Sequence, residues 1–168
     1  LKALADHPIT GMHRYMPNSG YSQTRNAIAT FLKEETGLPF EEKHLVMTVG
    51  AAGGLNVALK ALLDEGEEVI VPSPYFAEFK FYIDNVGGRI RPVETHDDFS
   101  LNLKALEKAI GKKTKVVLIN TPNNPTGVVY GGDSFERLGT LLKKKSQELG
   151  KTIHLITDEA YRRIIYDQ

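Results

Sequence analysis

The chain has 168 residues, of which 41% are apolar and 25% are charged, as is typical of a globular domain with a core of its own. Lysine plus arginine equals aspartate plus glutamate at 21 each, so net charge favours neither nucleic acid nor an anionic membrane as a partner. The lack of cysteine excludes disulfides and thiolate metal sites and fits the cytoplasm, and no apolar run approaches the roughly 20 residues of a membrane span.

The ends of the sequence indicate a piece of a longer protein. The chain begins at Leu1 rather than at a methionine, and it stops at Gln168 shortly after an apolar segment, without a stop signal. A processed chain is the alternative.

Helices and strands alternate along the sequence, as hydrophobic periodicity and glycine or proline stops indicate. In chain order the predicted elements are a helix from about Tyr21 to Thr36, a strand at 44–49, a helix over Leu55–Leu62, a strand at 67–72, a helix from Ala77 to Asn85, a strand at 89–94, a helix around Leu103–Ile110, a strand at 115–120, a helix from Asp133 to Leu149 and a strand at 152–157.

Three local signals refine this pattern. Pro92 places the strand at 89–94 at an edge or a bulge, because proline cannot donate to a ladder. Asp133 and Glu136 are spaced like a capping pair, and Gly150 is predicted to end the same helix. Strands that are apolar throughout predict an α/β fold of three layers, α/β/α, whose mostly parallel sheet is covered on both faces.

Ligands of such sheets bind beyond the carboxyl ends of the strands, so the residues that follow each strand are candidates. Gly50, Ala51 and Ala52 begin a strand-to-helix turn whose backbone N–H groups suit a phosphate, although a tight packing turn has the same composition. Tyr75 and Phe76 follow the next strand, and an aromatic face there would cover a flat ligand or simply pack on the sheet.

The last two strands are followed by polar candidates. Pro122 and Pro125 stiffen the loop TPNNPTG around Asn124, whose amide can donate one directed hydrogen bond, and the Asn124–Pro125 bond is a candidate cis peptide. Asp158 ends a buried strand and Tyr161 follows within one helical turn. An asparagine turn and an N-cap aspartate are the structural alternatives. Together, however, these groups match pyridoxal 5′-phosphate, which carries a phosphate, a flat ring, a ring oxygen and a basic ring nitrogen.

The segments YMPNSGYSQTRNAIA, GAAGGLN, SPYF, NNPTG and DEAYRRIIYD resemble the class I/II aminotransferases of pyridoxal-phosphate fold type I, especially the aspartate and aromatic aminotransferase branch. The resemblance implies that residues 1–168 are part of the large, cofactor-binding domain, with residues 1–40 as an N-terminal segment and first helix leading into it. It also implies a homodimer acting on an amino acid and a 2-oxo acid, with no nucleic acid, membrane or metal.

The resemblance assigns a role to each matching residue. Gly50, Ala51 and Ala52 would bind the cofactor phosphate and Phe76 would stack on the pyridine ring. Asn124 and Tyr161 would bond the 3′ oxygen, and Asp158 would pair with the protonated ring nitrogen. Tyr15 matches a tyrosine that reaches the phosphate in the neighbouring subunit.

Two features of the family are missing from this sequence. The Schiff-base lysine lies after DEAY in a motif of the type SxSK, but the last lysine here, Lys151, precedes Asp158. The arginine that grips the substrate carboxylate also lies further on in the family. We therefore expect the piece alone to be inactive.

Three other functions share these motifs. A β-lyase (C–S lyase) or a cyclopropane-forming synthase has the same cofactor and fold. A transcription regulator can carry a non-catalytic, aminotransferase-like ligand-binding domain. A plain α/β domain in which every strand-end residue is structural is the fourth reading.

Overall fold

The computed structural model of the chain describes residues 15–166. Residues 1–14, which belong to the predicted N-terminal segment of 1–40, lie outside the described residues. The chain divides into two compact units, residues 1–50 and residues 51–168.

The described part of the first unit contains one long helix, α1, at Ser22–Thr36. Gly37 ends it at the predicted position, directly after Thr36, with a left-handed φ of 70° and an N–H that donates to the carbonyl of Lys33. A short 3₁₀ turn follows at Glu42–His44. The Arg25 guanidinium holds this turn against α1, because it pairs with the Glu42 carboxylate and donates to the Glu42 carbonyl at 3.0 Å.

The predicted strand at 44–49 is wrong. His44 belongs to the 3₁₀ turn, and residues 45–49 join no sheet in the described part of the chain. Leu45 has extended backbone angles, yet Val46 and Val49 are exposed. β-Branched residues favour a strand only where a neighbouring strand and a core surface are present, and residues 15–166 provide neither for this segment.

The second unit is built on four parallel strands in the order β2-β1-β3-β4. Its elements are α2 at Gly50–Leu62, β1 at Glu68–Ser73, α3 at Glu78–Asp84, β2 at Arg89–Glu94, α4 at Leu103–Ala109, β3 at Thr114–Asn120, α5 at Gly132–Leu149 and β4 at His154–Asp158. The predicted order of elements is confirmed from α2 onward, with ends shifted by a few residues.

Helices cover both faces of this sheet, which confirms the three-layer α/β/α fold. Alternate side chains of the central strands point to opposite faces. Val69 and Leu118 meet α2 and α3 on one face, whereas Ile70 and Val117 meet α4 and α5 on the other.

Two of the local signals are confirmed and one is wrong. Pro92 lies in β2, at the edge of the described sheet, and Gly150 ends α5 with a left-handed φ of 65°. The capping pair of Asp133 and Glu136 does not form, because α5 begins one residue earlier. Gly131 is therefore the N-cap, and it has no side chain with which to cap.

Candidate functional site

The functional candidates of the second unit meet where three adjacent strands end. β1, β3 and β4 lie side by side, and their carboxyl ends point the same way because all three are parallel. A cavity of about 240 Å³ opens there. Its lining includes six of the eight residues predicted from the sequence, namely Ala51, Ala52, Phe76, Asn124, Asp158 and Tyr161.

Asp158 is the last residue of β4 and is half-buried. Burial raises the pKa of its carboxyl above the ordinary value, although a hydrogen bond from the Ala160 N–H at 3.3 Å acts in the opposite direction. No lysine or arginine is among the described residues that line the cavity. This carboxylate therefore pays a desolvation cost that a cationic ligand would offset.

The loop after β3 holds Asn124 at the cavity. The Asn124 N–H donates to Oδ1 of Asn120 at 2.7 Å, and Gly127 turns the backbone away with a φ of 76°. The predicted cis bond between Asn124 and Pro125 is confirmed. The Asn124 side-chain amide makes no hydrogen bond within the described residues, and Asn124 lines the cavity.

The neighbouring Asn123 follows the structural alternative. Its Oδ1 accepts from the N–H of Thr126 at 3.2 Å and from the Thr126 hydroxyl at 2.8 Å. Its N–H donates to the Val128 carbonyl at 2.9 Å. Of the two asparagines in TPNNPTG, Asn123 therefore stabilises the loop and Asn124 lines the cavity.

Aromatic side chains form two further parts of the lining. Phe76 follows β1 and meets Phe79 edge-on, with ring centroids 5.7 Å apart and an interplanar angle of 84°. This contact fixes the plane of the Phe76 ring. Tyr161 lies in a turn after β4 rather than in a helix, and it lines the same cavity as Asp158.

The start of α2 supplies the backbone groups predicted to suit a phosphate. Gly50 begins the helix with a φ of 68°, and Ala51 and Ala52 follow it into the lining. The Gly50 N–H donates to the Thr48 carbonyl at 3.0 Å, so Gly50 is not a free donor as predicted and serves only as the turn. The N–H groups of Ala51 and Ala52 have no partner within the helix and favour an anion. Tyr15 lies in the first unit and is fully exposed, and its predicted contact with a neighbouring subunit stays a prediction.

Three lining residues with polar side chains were missed by the sequence analysis. Asn120 joins two parts of the site, since its Oδ1 accepts from Asn124 and its Nδ2 donates to the Asp158 carbonyl at 3.1 Å. Glu78 and Tyr82, one turn apart on α3, are joined by a hydrogen bond from the Tyr82 hydroxyl to the Glu78 carboxylate. Two features of the sequence could have indicated these residues. Asn120 is a polar residue at the end of an apolar strand, and Glu78 and Tyr82 are four residues apart, the spacing at which helical side chains meet.

A sequence model described as "Aminotransferase class I and II" matches residues 1–168. The chain belongs to this family. The probable aspartate aminotransferase of Methanocaldococcus jannaschii is 30% identical over 158 residues, which are 94% of this chain and 40% of that protein. The aspartate/prephenate aminotransferase of Thermus thermophilus is 33% identical over 159 residues, with the same two coverages. The chain therefore spans about 40% of the length of these curated relatives.

Solved aminotransferase structures share the fold. An amino transferase from Eubacterium rectale superposes with a TM-score of 0.92 at 39% identity, over 99% of this chain and 42% of that one. The aspartate aminotransferase of T. thermophilus with maleate superposes with a TM-score of 0.86 at 32% identity, over the same shares. The predicted resemblance is thus confirmed at the level of family and fold.

The cavity fits the cofactor expected of an aminotransferase. A half-buried carboxylate without a cation in the lining suits a protonated pyridine nitrogen, and the unbonded Asn124 amide suits a ring oxygen. A volume of about 240 Å³ lies just below the range of roughly 300–1,000 Å³ that is usual for small-molecule pockets. A single substituted ring is therefore a better match than a dinucleotide.

Proposed function

We propose that the full-length protein is a pyridoxal-phosphate-dependent aminotransferase that moves an amino group between an amino acid and a 2-oxo acid. The observation that carries this proposal is the meeting of Phe76, Asn124, Asp158 and Tyr161 around one cavity at the ends of adjacent parallel strands. Bound there, the cofactor supplies a ring into which negative charge at the substrate Cα can delocalise.

Asp158 would hold a proton on the ring nitrogen. Its carboxylate is half-buried, and burial makes an isolated negative charge costly. A cation beside it removes that cost, and the carboxylate in turn raises the proton affinity of the nitrogen. The backbone of Asp158 is fixed independently, because its carbonyl accepts from the Thr121 N–H at 3.0 Å and from Asn120.

The remaining residues would orient the ring. Phe76 would cover one face, and Asn124 and Tyr161 would donate to the ring oxygen. Ala51 and Ala52, which follow the turn at Gly50, would bind the phosphate at the start of α2. These groups stand on separate elements that the sheet holds together, so the site is formed before a ligand arrives.

Aspartate is the amino acid we propose as the first donor to test. Several relatives are named aspartate aminotransferases, and a solved structure of the T. thermophilus enzyme contains maleate, a dicarboxylate. We also propose a cytoplasmic homodimer in which Tyr15 reaches the neighbouring subunit. Light scattering of the full-length protein tests the dimer, and a monomeric mass would contradict it.

The assay is amino transfer from L-aspartate to 2-oxoglutarate by the full-length protein supplied with pyridoxal 5′-phosphate. We expect glutamate to form at a rate that Asp158→Asn lowers by about 100-fold or more, as expected when a catalytic proton is misplaced. Asp84→Asn is the matched control, because Asp84 is exposed on α3 and does not line the cavity. A parallel assay supplies an amino acid with a thioether at Cβ, which β-elimination splits into a thiol, pyruvate and ammonia. Release of these products, with no amino transfer from either donor, would replace this proposal with a lyase.

A further inference from the structure

The cavity contains a second carboxylate that none of the predicted roles uses. Glu78 lines it together with Asp158, and the Tyr82 hydroxyl donates a hydrogen bond to the Glu78 carboxylate. Tyr82 is buried, since only 9% of its surface is exposed, and it packs in the core between α2, α3 and the sheet. The Tyr82 phenol is thus a hydrogen-bond donor fixed by the core, and it holds the carboxylate of the more exposed Glu78.

We propose that Glu78 and Tyr82 form a carboxylate–phenol pair that selects a ligand with a protonated ring nitrogen, with Tyr82 positioning Glu78 at the cavity. The inference deepens the proposed function and rests on it. Glu78 acts through its negative charge and Tyr82 acts through Glu78, so both are positioning residues.

The charges of the lining support this assignment. Its titratable members are Glu78, Tyr82, Asp158 and Tyr161, and among the described lining residues no cation balances the two carboxylates. The hydrogen bond to Glu78, followed by burial and the charges of Glu78 and Asp158, raises the pKa of Tyr82 to about 12. Tyr82 therefore stays neutral, and its hydroxyl donates to the Glu78 carboxylate. With two carboxyl groups and no lysine or arginine among the described lining residues, the cavity favours a cationic ring over a neutral ring of the same shape.

The position of the pair on α3 explains how it is held. Glu78 and Tyr82 are one turn apart and therefore share a helix face. Phe79, which is fully buried, meets Tyr82 with ring centroids 6.5 Å apart and fixes the phenol against the core. Without the hydrogen bond from Tyr82, the exposed Glu78 side chain would sample solvent. The Tyr82 hydroxyl, carried by a ring that packs in the core, holds the Glu78 carboxylate at the cavity.

The test compares two ligands of one shape on the full-length protein freed of bound cofactor. The first is pyridoxamine 5′-phosphate, which has no aldehyde to react with lysines, and the second is its analogue with C–H in place of the ring nitrogen. Calorimetry gives the ratio of their dissociation constants. A substitution that only destabilises the fold lowers the affinity for both ligands by the same factor and leaves the ratio of dissociation constants unchanged.

We expect the wild-type protein to prefer the pyridine. Glu78→Gln should lower this preference by about twofold to fivefold, the range for a partly exposed charge pair. Tyr82→Phe, which keeps the ring but removes the hydroxyl, should lower it in the same direction, and Asp84→Asn on the same helix should leave it unchanged.

The outcomes separate this inference from the proposed function. A preference that survives Glu78→Gln but is lost in Asp158→Asn overturns the role of the pair and leaves the proposed function standing. A loss in Glu78→Gln that Tyr82→Phe does not share overturns the positioning role of Tyr82. Equal binding of the two ligands by the wild-type protein, or binding of neither, overturns both proposals.

Discussion

Asn120→Ala should separate two parts of the site that the wild-type side chain joins. Asn120 is buried at the end of β3, opposite Asp158 in the ladder. Its removal deprives the Asn124 N–H of its acceptor at 2.7 Å and the Asp158 carbonyl of a donor at 3.1 Å.

The size of the effect follows from which of these two groups is left unsatisfied. The Asp158 carbonyl keeps its hydrogen bond from the Thr121 N–H at 3.0 Å, so its loss is small. The Asn124 N–H loses its acceptor, and because Asn124 is half-buried the cost lies toward the lower end of the range of about 1–3 kcal/mol for a fully buried unsatisfied donor. We therefore expect the free energy of unfolding to fall by an amount in the lower part of this range. Affinity for pyridoxamine 5′-phosphate should fall by about twofold to tenfold, because the Asn124 amide is no longer held.

The assays are urea unfolding and calorimetric titration, with Asn102→Ala as the matched control. Asn102 also accepts a backbone hydrogen bond, from the Ala105 N–H at 3.0 Å at the start of α4, and it does not line the cavity. Its loss should cost about 0.5–2 kcal/mol and leave ligand affinity unchanged. If Asn120→Ala matched this control in both measurements, the idea that Asn120 holds the loop would be refuted.

Two further variants test the core and the site. Gly88→Ala would place a Cβ 2.9 Å from Leu63 Cδ1 and 3.0 Å from Ile83 Cγ2, so urea unfolding should show that the free energy of unfolding falls by about 1–3 kcal/mol. Gly111→Ala is the control, because a Cβ there meets nothing within 4 Å, and its effect should be close to zero. Equal effects of the two substitutions would contradict the packing around Gly88. Burial raises the folded-state pKa of Asp158 above its ordinary value of 3.8, so folding favours the protonated carboxyl. The contribution of Asp158 to the free energy of unfolding is therefore fully present below pH 3.8 and is lost as the pH rises through the raised pKa. Asp158→Asn should therefore raise the Tm of the ligand-free protein at neutral pH, by a margin that grows across the acid range, and an unchanged or lowered Tm would count against this reading.

Local sequence patterns predicted the layers and most elements because burial and periodicity act locally. The continuous apolar run at 115–120 could only be a strand covered on both faces, and β3 has that environment. The run at 44–49 has a similar composition and is no strand, because its outcome depends on a pairing partner that composition does not encode.

The site was predictable where a motif places a side chain directly at a strand end. Phe76, Asn124 and Asp158 each follow or end a strand, so the sheet topology brings them together. Asn120, Glu78 and Tyr82 were missed for a different reason. Their roles depend on which side of a strand or helix faces the cavity, and that orientation follows from the packing of α3 and the loop after β3 on the sheet.

The role proposed for Asp158, which is to hold a proton on the ring nitrogen of the cofactor, can be tested by measuring the protonation state of that nitrogen. Pyridoxamine 5′-phosphate labelled with ¹⁵N in the ring would be bound to the full-length protein at a pH at which the free ligand is deprotonated. We expect a ¹⁵N chemical shift typical of a protonated ring nitrogen in the wild-type protein and one typical of a deprotonated nitrogen in Asp158→Asn. A deprotonated nitrogen in the wild-type protein, or the same shift in both proteins, would contradict it.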